Sequence, residues 1–441
     1  MSTHRAVGKL QALVRIPTVS YPDWEDVDVE AFDSFVVELR TQFPLLHERL
    51  ELTRVDTHGL LFRWAGRHAD RPVVLMAHLD VVPVDGDTVW QHPPFGAEIH
   101  DGAIWGRGTL DDKGQLVAIC EAVETLLEQD FTPEQDVWLS FGCNEEVSGA
   151  AARLAVEELT RRGVRPWFVL DEGGAVATGA FPGIDVPIGA VGVTEKGQTS
   201  IELRVDGRGG HASTPARNAP TVRIARAIRR LDKHQMAASV PDPMIELLRR
   251  LAPHAPRALR PVMQNAGRIR PLLTKALLAA GPETAAATRT TFAMTTLSGS
   301  PALNVIASTA KAGVNIRIMV GDTVTSVLEH VRRTIDDDQV QVTLVEGTDP
   351  SPISPMDDAF ALIEATIIEV FPGAVPAPYV MMAATDSRFF TGLCPRVYRF
   401  APFWMTKAQR ESIHSYDEHL GIDALVEGVQ WYQRLIERIP S

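Results

Sequence analysis

Ionisable side chains close three apolar runs in this sequence: His78 and Asp80 end VVLMAHLD (73–80), Glu145 and Glu146 end VWLSFGCNEE (137–146), and Asp171 and Glu172 end WFVLDE (167–172). Water holds such charges more cheaply than a protein interior does, so each placement calls for a compensating partner. Asp111 lies in GRGTLDDKG (106–114) just ahead of a helical pattern, and His414 lies in SIHSYDEHL (412–420), again before a helix. Two imidazoles and several carboxylates supply the nitrogen and oxygen donors that zinc or a similar divalent ion accepts. Two such ions would offset a bridging Asp, two further carboxylates and a hydroxide, whereas one would leave the cluster strongly negative. A bridge requires a short, rigid carboxylate offering one oxygen to each ion at a separation of ~3.5–4 Å. Asp111, in its glycine-flanked turn, is the natural candidate. Neighbouring residues of an extended chain point to opposite sides, which lets one of Glu145 and Glu146 ligate while the other faces a water as general base. Asp80, two residues from His78, is spaced to orient that imidazole.

Singly, these features are ordinary: a lone His after an apolar run is usually structural, and Gly, Thr and Asp are common in a turn that caps a helix. Their joint position is not ordinary, because sites of α/β sheets lie beyond the carboxyl ends of the strands. From 72 to 170 short β-rich runs alternate with helical patterns, the helix over 114–127 among them, which predicts a mostly parallel sheet covered by helices. The texture then changes. TSIELRVDG (199–207) alternates like a strand with one exposed face, a helix is predicted over 221–231, and AGVNIRIMV (312–320) and VQVTLVEG (340–347) flank a helix over 324–335. That is the pattern of an antiparallel sheet with helices on one face. Residues 242–287, rich in Arg, Leu, Ala and Pro, read as a helical insertion. The α/β pattern resumes with a helix over 357–370, a strand near YRFAPF (398–403) and a last helix over 422–436. The reading is an α/β catalytic domain (1–192 and 350–441) interrupted by an inserted α+β sandwich (193–349).

The chain has 441 residues, 45% of them hydrophobic, and a formal charge of -13. Length and apolar content suffice for two or three packed domains, and the acidic balance argues against a nucleic-acid surface. The three cysteines lack CxxC spacing, so neither a disulfide framework nor a thiolate zinc site is expected. No apolar segment of signal-peptide or membrane length opens the chain, which points to the cytoplasm and away from a membrane partner.

HLDVVPVD, GRGTLDDKG, NEEVSG, LDEGG, GGHASTP and SIHSYDEH together resemble the dinuclear zinc exopeptidases and amidohydrolases of clan MH. That group includes aminoacylases, glutamate carboxypeptidase, carboxypeptidase S, carnosinase-like dipeptidases and succinyl-diaminopimelate desuccinylase, and the resemblance spans essentially the whole chain. It implies a zinc-exopeptidase-like catalytic domain with an inserted lid that also dimerises, and two divalent ions, zinc, or alternatively cobalt or manganese. His78, Asp111, Glu146 and His414 would be ligands, Glu145 the base, and Asp80 a support of the site. The remaining carboxylate would be Asp171, with Glu172 as the alternative, on the spacing of the carboxypeptidase S branch. His211, Asn304 and Arg317 match lid positions that contact substrate, His211 in the partner subunit's site. A cis Asp111-Asp112 peptide is also implied. The expected activity is hydrolysis of a peptide or amide bond next to a free carboxylate, of the dipeptidase or carboxypeptidase kind, with an aminoacylase acting on N-acyl amino acids as the alternative. A non-catalytic binding homologue and a cysteine hydrolase built on Cys143 are the competing classes.

Overall fold

The structure, a computed structural model, describes residues 3–86, 90–181 and 183–441. Its main sheet runs Glu51–Val55, Gly59–Trp64, Gln135–Gly142, His68–His78, Phe168–Asp171, Val397–Arg399, Ile188–Glu195, Ala175–Ala177, Trp404–Met405, with Val375–Met381 also paired to Ile188–Glu195. The four strands in its middle, from Gln135–Gly142 to Val397–Arg399, are mutually parallel, and the flanking pairs are largely antiparallel. Every residue of Gln135–Gly142 is buried, as a strand covered on both faces must be. Alternation along His68–His78 divides its side chains between two cores. Val73, Leu75 and Ala77 join the core beneath helix Lys113–Glu128, while Val74 and Met76 pack with Ala152, Ala155 and Leu159 of helix Ala151–Arg161. Two helices therefore clamp the strand whose last residue is His78.

The second sheet has the order Thr291–Ser298, Thr309–Ile318, Gly197–Asp206, Gln341–Thr348, all antiparallel. Ile201, Leu203 and Val205 pack with Ala312, Val314, Ile316 and Ile318 under helices Pro220–Lys233 and Val324–Ile335. Period-two alternation then puts Asn315 and Arg317 on the face without helices.

Several strands lie outside the sequence reading, Glu51–Val55, Gly59–Trp64, Ile188–Glu195 and Thr291–Ser298 among them. Val375–Met381 was not anticipated as a strand because it carries Pro376 and Pro378; it pairs on one side only, an edge position where a missing N–H is tolerated. The insertion forms helices Asp242–Leu251, Arg260–Gln264, Arg270–Ala280 and Pro282–Ala286. Although it interrupts the lid in sequence, it rests on the catalytic sheet, where Leu247, Leu251, Ala255 and Met263 pack with Ile184, Ile188 and Ala377. Arg250 pairs with Glu364 and donates to the Pro376 carbonyl. Among the described residues no helix is long and apolar enough to cross a membrane.

Candidate metal centre

Asp111 is the hub. Its Oδ1 lies 2.9 Å from His78 Nε2 and its Oδ2 lies 3.0 Å from His414 Nε2, so the two oxygens of one carboxylate face two different imidazoles. Glu146 Oε2 is also 3.0 Å from His414 Nε2, while Glu146 Oε1 is buried without a partner. His78, Asp111 and Glu146 converge closely enough to share an ion. Burial alone would raise the Asp111 pKa, but hydrogen bonds from His414 and His78 outweigh it and hold the carboxyl below the ordinary carboxylate range. Hydrogen bonds to Asp111 and Glu146 lift His414 to about 10. Burial, followed by repulsion from Asp111, raises Glu146, and burial, followed by Asp111 and Asp112, raises Glu172 well above its usual value. A carboxyl cluster with an orphaned oxygen, the buried imidazole of His78 and the half-exposed one of His414 has the donor set that divalent ions take.

Asp171 and Glu172 separate clearly. Both Asp171 oxygens accept backbone amides, Oδ1 from Glu172 N at 2.9 Å and Oδ2 from Ser387 N at 2.8 Å. Glu172 instead lines a cavity together with Asp111. Glu145 and Glu146 are divided by a different device from the expected one. They stand in a turn over 145–148, closed by Ser148 N donating to Glu145 O at 2.8 Å, with Ser148 at φ +56°, so strand alternation does not set them apart. Asp80 organises that turn. Its Oδ1 accepts from Glu145 N at 3.1 Å, and its Oδ2 accepts from Glu146 N at 3.2 Å and from the Ser20 hydroxyl at 2.7 Å. His78 Nδ1 meets the Asp80 backbone carbonyl at 3.0 Å and the carboxylate only at 3.4 Å, so the orienting group is the main chain. Among the described residues no hydrogen bond engages the Glu145 carboxylate, whose pKa is raised by burial, with Asp386 and Glu146 adding to it. The Asp111-Asp112 peptide is cis, as the resemblance implied.

Sequence reasoning passed over the residues that hold this arrangement together. Glu418 Oε1 accepts from Leu110 N at 2.8 Å and Asp111 N at 3.1 Å, its Oε2 takes Arg107 at 2.8 Å, and Arg107 donates to Ser415 O at 2.8 Å. The loop bearing Asp111 is thereby tied to the loop bearing His414, whose own backbone is left-handed at φ +60°. Both residues lay inside motifs already singled out, and a charged pair in motifs so far apart was the available signal. Asp386, raised by burial and then by Asp171 to about 7, stands beside Gly142, where a Cβ would come within 2.6 Å of its Oδ2. Cys143 is buried and its thiol is pushed up to about 12 by that burial, which removes the thiolate a cysteine hydrolase needs.

Two cavities border this centre. A polar cleft of about 400 Å³ is lined by Glu145, Glu146 and His414 together with Arg317, Lys196 and Arg388. Arg317 is half-buried with no side-chain hydrogen bond among the described residues, and Glu346 is its charged neighbour. An apolar cavity of about 420 Å³ opens on Asp111 and Glu172 and runs between the sheet residues Ile188, Ala190 and Val380 and the insertion residues Met244 and Leu247. His211 and Asn304 stay outside both. The two-residue ladder of Gly210–His211 with Val305–Ile306 holds them together, Ala212 N donates to Asn304 O at 3.1 Å, and both are exposed.

Residues 74–438 match the profile of peptidase family M20/M25/M40. The chain belongs to that family. It is 33% identical over 441 residues to probable carboxypeptidase S-like 2 of Dictyostelium discoideum, covering 97% of this chain and 84% of the relative. It is 35% identical over 438 residues to the N-fatty-acyl-amino acid synthase/hydrolase PM20D1 of Xenopus tropicalis, covering 98% and 85%. The fold is that of the M20 family metallo-carboxypeptidase Sso-CP2 from Sulfolobus solfataricus, with a TM-score of 0.71 at 18% identity over 98% of both chains. Membership makes this M20 protein a metal-dependent hydrolase of peptide or amide bonds.

The Arg107–Glu418 pair is buried, so removing one partner leaves the other charge without compensation. Glu418→Ala is expected to cost ~3–5 kcal/mol of folding stability, the scale for breaking a buried ion pair. Urea unfolding of the two proteins without added metal measures it, and a difference below about 1 kcal/mol, the surface-pair range, would remove the tie assigned to Glu418.

Proposed function

We propose that this M20 protein hydrolyses the amide bond of N-acyl amino acids, with Asp111 shared by two divalent ions, His78 and Glu172 completing one set and His414 and Glu146 the other. The observation that carries the reading is the position of Asp111: it lines the apolar cavity, its carboxylate oxygens each face their own imidazole, and one of those imidazoles, His414, lines the polar cleft. Glu172 replaces Asp171 as the remaining carboxylate because backbone amides occupy both Asp171 oxygens. A pair of ions so held supplies Lewis acidity that polarises the scissile carbonyl and acidifies water. Glu145, unligated and beside Glu146, takes the proton of the attacking water and returns it to the leaving nitrogen. Asp80 positions that base through the Glu145 and Glu146 amides and does not itself touch substrate.

Arg317 receives the amino acid's carboxylate in the polar cleft, since a guanidinium offers the planar fork for two hydrogen bonds and no ion pair engages it among the described residues. The acyl group lies in the apolar cavity. This reverses the order of the two sequence-based readings, because beyond Asp111 and Glu172 that cavity offers a dipeptide's ammonium no carboxylate. The similarity to an N-fatty-acyl-amino acid synthase/hydrolase supports the same choice. His211 and Asn304, exposed away from the cleft, serve the site of a second copy in a two-fold dimer.

Three outcomes follow from these roles. Glu145→Gln retains its metal content, measured by elemental analysis after dialysis, while turnover falls by ~10²–10⁴; loss of metal would transfer Glu145 to the ligands. Arg317→Ala erases the preference for a free-acid N-acyl amino acid over its amide, and Arg317→Lys restores it in part. An unchanged ratio of specificity constants in Arg317→Ala would remove the clamp. Mixing inactive His211→Ala and Glu145→Gln chains recovers about a quarter of wild-type activity, because half of the randomly assorted dimers carry one complete site; no recovery in mixtures proven to exchange subunits would place His211 outside the partner's site.

A further inference from the structure

The helical insertion has no part in the chemistry described so far, yet it builds one wall of the apolar cavity. Met244 and Leu247 on helix Asp242–Leu251 and Ala287 at the end of the last short helix face it, opposite Ile188, Ala190 and Val380 of the catalytic sheet. The wall is anchored at both ends. Leu247 and Leu251 pack on Ile184, Ile188 and Ala377, and Arg250 bonds to Glu364 and to the Pro376 carbonyl. At the other end Lys196 Nζ donates to Ala286 O at 2.6 Å and to Arg289 O at 3.1 Å. Lys196 also lines the polar cleft, so one buried side chain ties the insertion beside Ala287 to the other cavity. An apolar slot whose wall is this firmly docked has set dimensions, and its lining includes Asp111 and Glu172.

We infer that the insertion is the acyl-chain gauge of this enzyme: Met244 and Ala287 set how long an aliphatic chain reaches into the cavity from the scissile carbonyl. The inference rests on the N-acyl amino acid reading for the site itself, and adds which part of the chain determines length selectivity. Each methylene taken from water into such a slot raises binding roughly fourfold, so the length profile climbs until the chain meets the wall and then flattens. A bulkier residue on the wall must move the plateau to shorter chains, and a smaller one must move it to longer chains.

The test uses the intact metal-loaded protein and a series of N-acyl derivatives of one amino acid from acetyl through octanoyl to stearoyl. Met244→Trp and Ala287→Leu are each expected to lower the palmitoyl-to-octanoyl ratio of specificity constants by tenfold or more, and Met244→Ala to raise the stearoyl-to-palmitoyl ratio. Leu272→Trp, on an exposed position of the same insertion, should keep the wild-type profile, which controls for general perturbation of the helices. Calorimetric titration with free palmitate gives a readout independent of turnover, and Met244→Trp should weaken it at least tenfold. Weakened palmitate binding in a protein that cleaves no N-acyl amino acid would sink the proposed activity and leave the gauge standing. Hydrolysis of the acyl series with the same length profile in wild type, Met244→Trp and Ala287→Leu would overturn the gauge and leave the activity standing.

Discussion

Like charges gathered in a dry space are the constraint from which the rest of this molecule follows. Asp111, Glu145, Glu146, Glu172 and Asp386 approach one another where burial disfavours ionisation, with His78 and His414 among them and Arg388 beside Asp386. Isolated, any one of these carboxyls would take up a proton. Held together, they form a site whose repulsion is relieved by cations, and the surrounding structure keeps them from drifting apart. Asp80 binds the two amides of the Glu145–Glu146 turn, Glu418 binds the Leu110 and Asp111 amides, and Ser387 N caps Asp171. These anchors are backbone amides received by buried carboxylates, charge-assisted bonds that fix position without adding mobile side chains.

The two cavities extend the same logic to substrate. On one side Arg317 and Lys196 bring positive charge into a cleft that already holds Glu145 and Glu146; burial pushes Lys196 down to about 8, with Arg317 adding to it. On the other side the wall is aliphatic and comes partly from the insertion. The N-acyl amino acid proposed as substrate carries an anionic end, an amide and an aliphatic end in the same order.

Much of this was legible in the sequence. His78, Glu145, Glu146 and the 171–172 pair follow apolar runs whose period identifies buried strands, and parallel strands deliver their ends to one edge of the sheet. The lid strand was equally readable from its alternation, which puts Asn315 and Arg317 on one face; that this is the face without helices is seen only in the structure. What could not be read depends on partners distant in the chain. The contact that sets Asp171 apart from Glu172 comes from an amide at residue 387, and the part played by Glu418 requires residues 107 to 111. The strand Val375–Met381 was hidden by its prolines, which only an edge tolerates. The insertion was recognised as helical, but its docking on the catalytic sheet depends on Leu247 and Leu251 meeting Ile188 and Ala377, a contact with no local periodicity.

The central claim is that Asp111 is shared between two ions, one on the side of His78 and one on the side of His414. Anomalous diffraction at the zinc absorption edge, from crystals grown with zinc, addresses it directly. The account predicts two peaks ~3.5–4 Å apart, flanking the Asp111 carboxylate, with Glu172 on the His78 side and Glu146 on the His414 side. A single peak, or a pair in which Asp171 replaces Glu172 or Asp111 touches one ion alone, would contradict it.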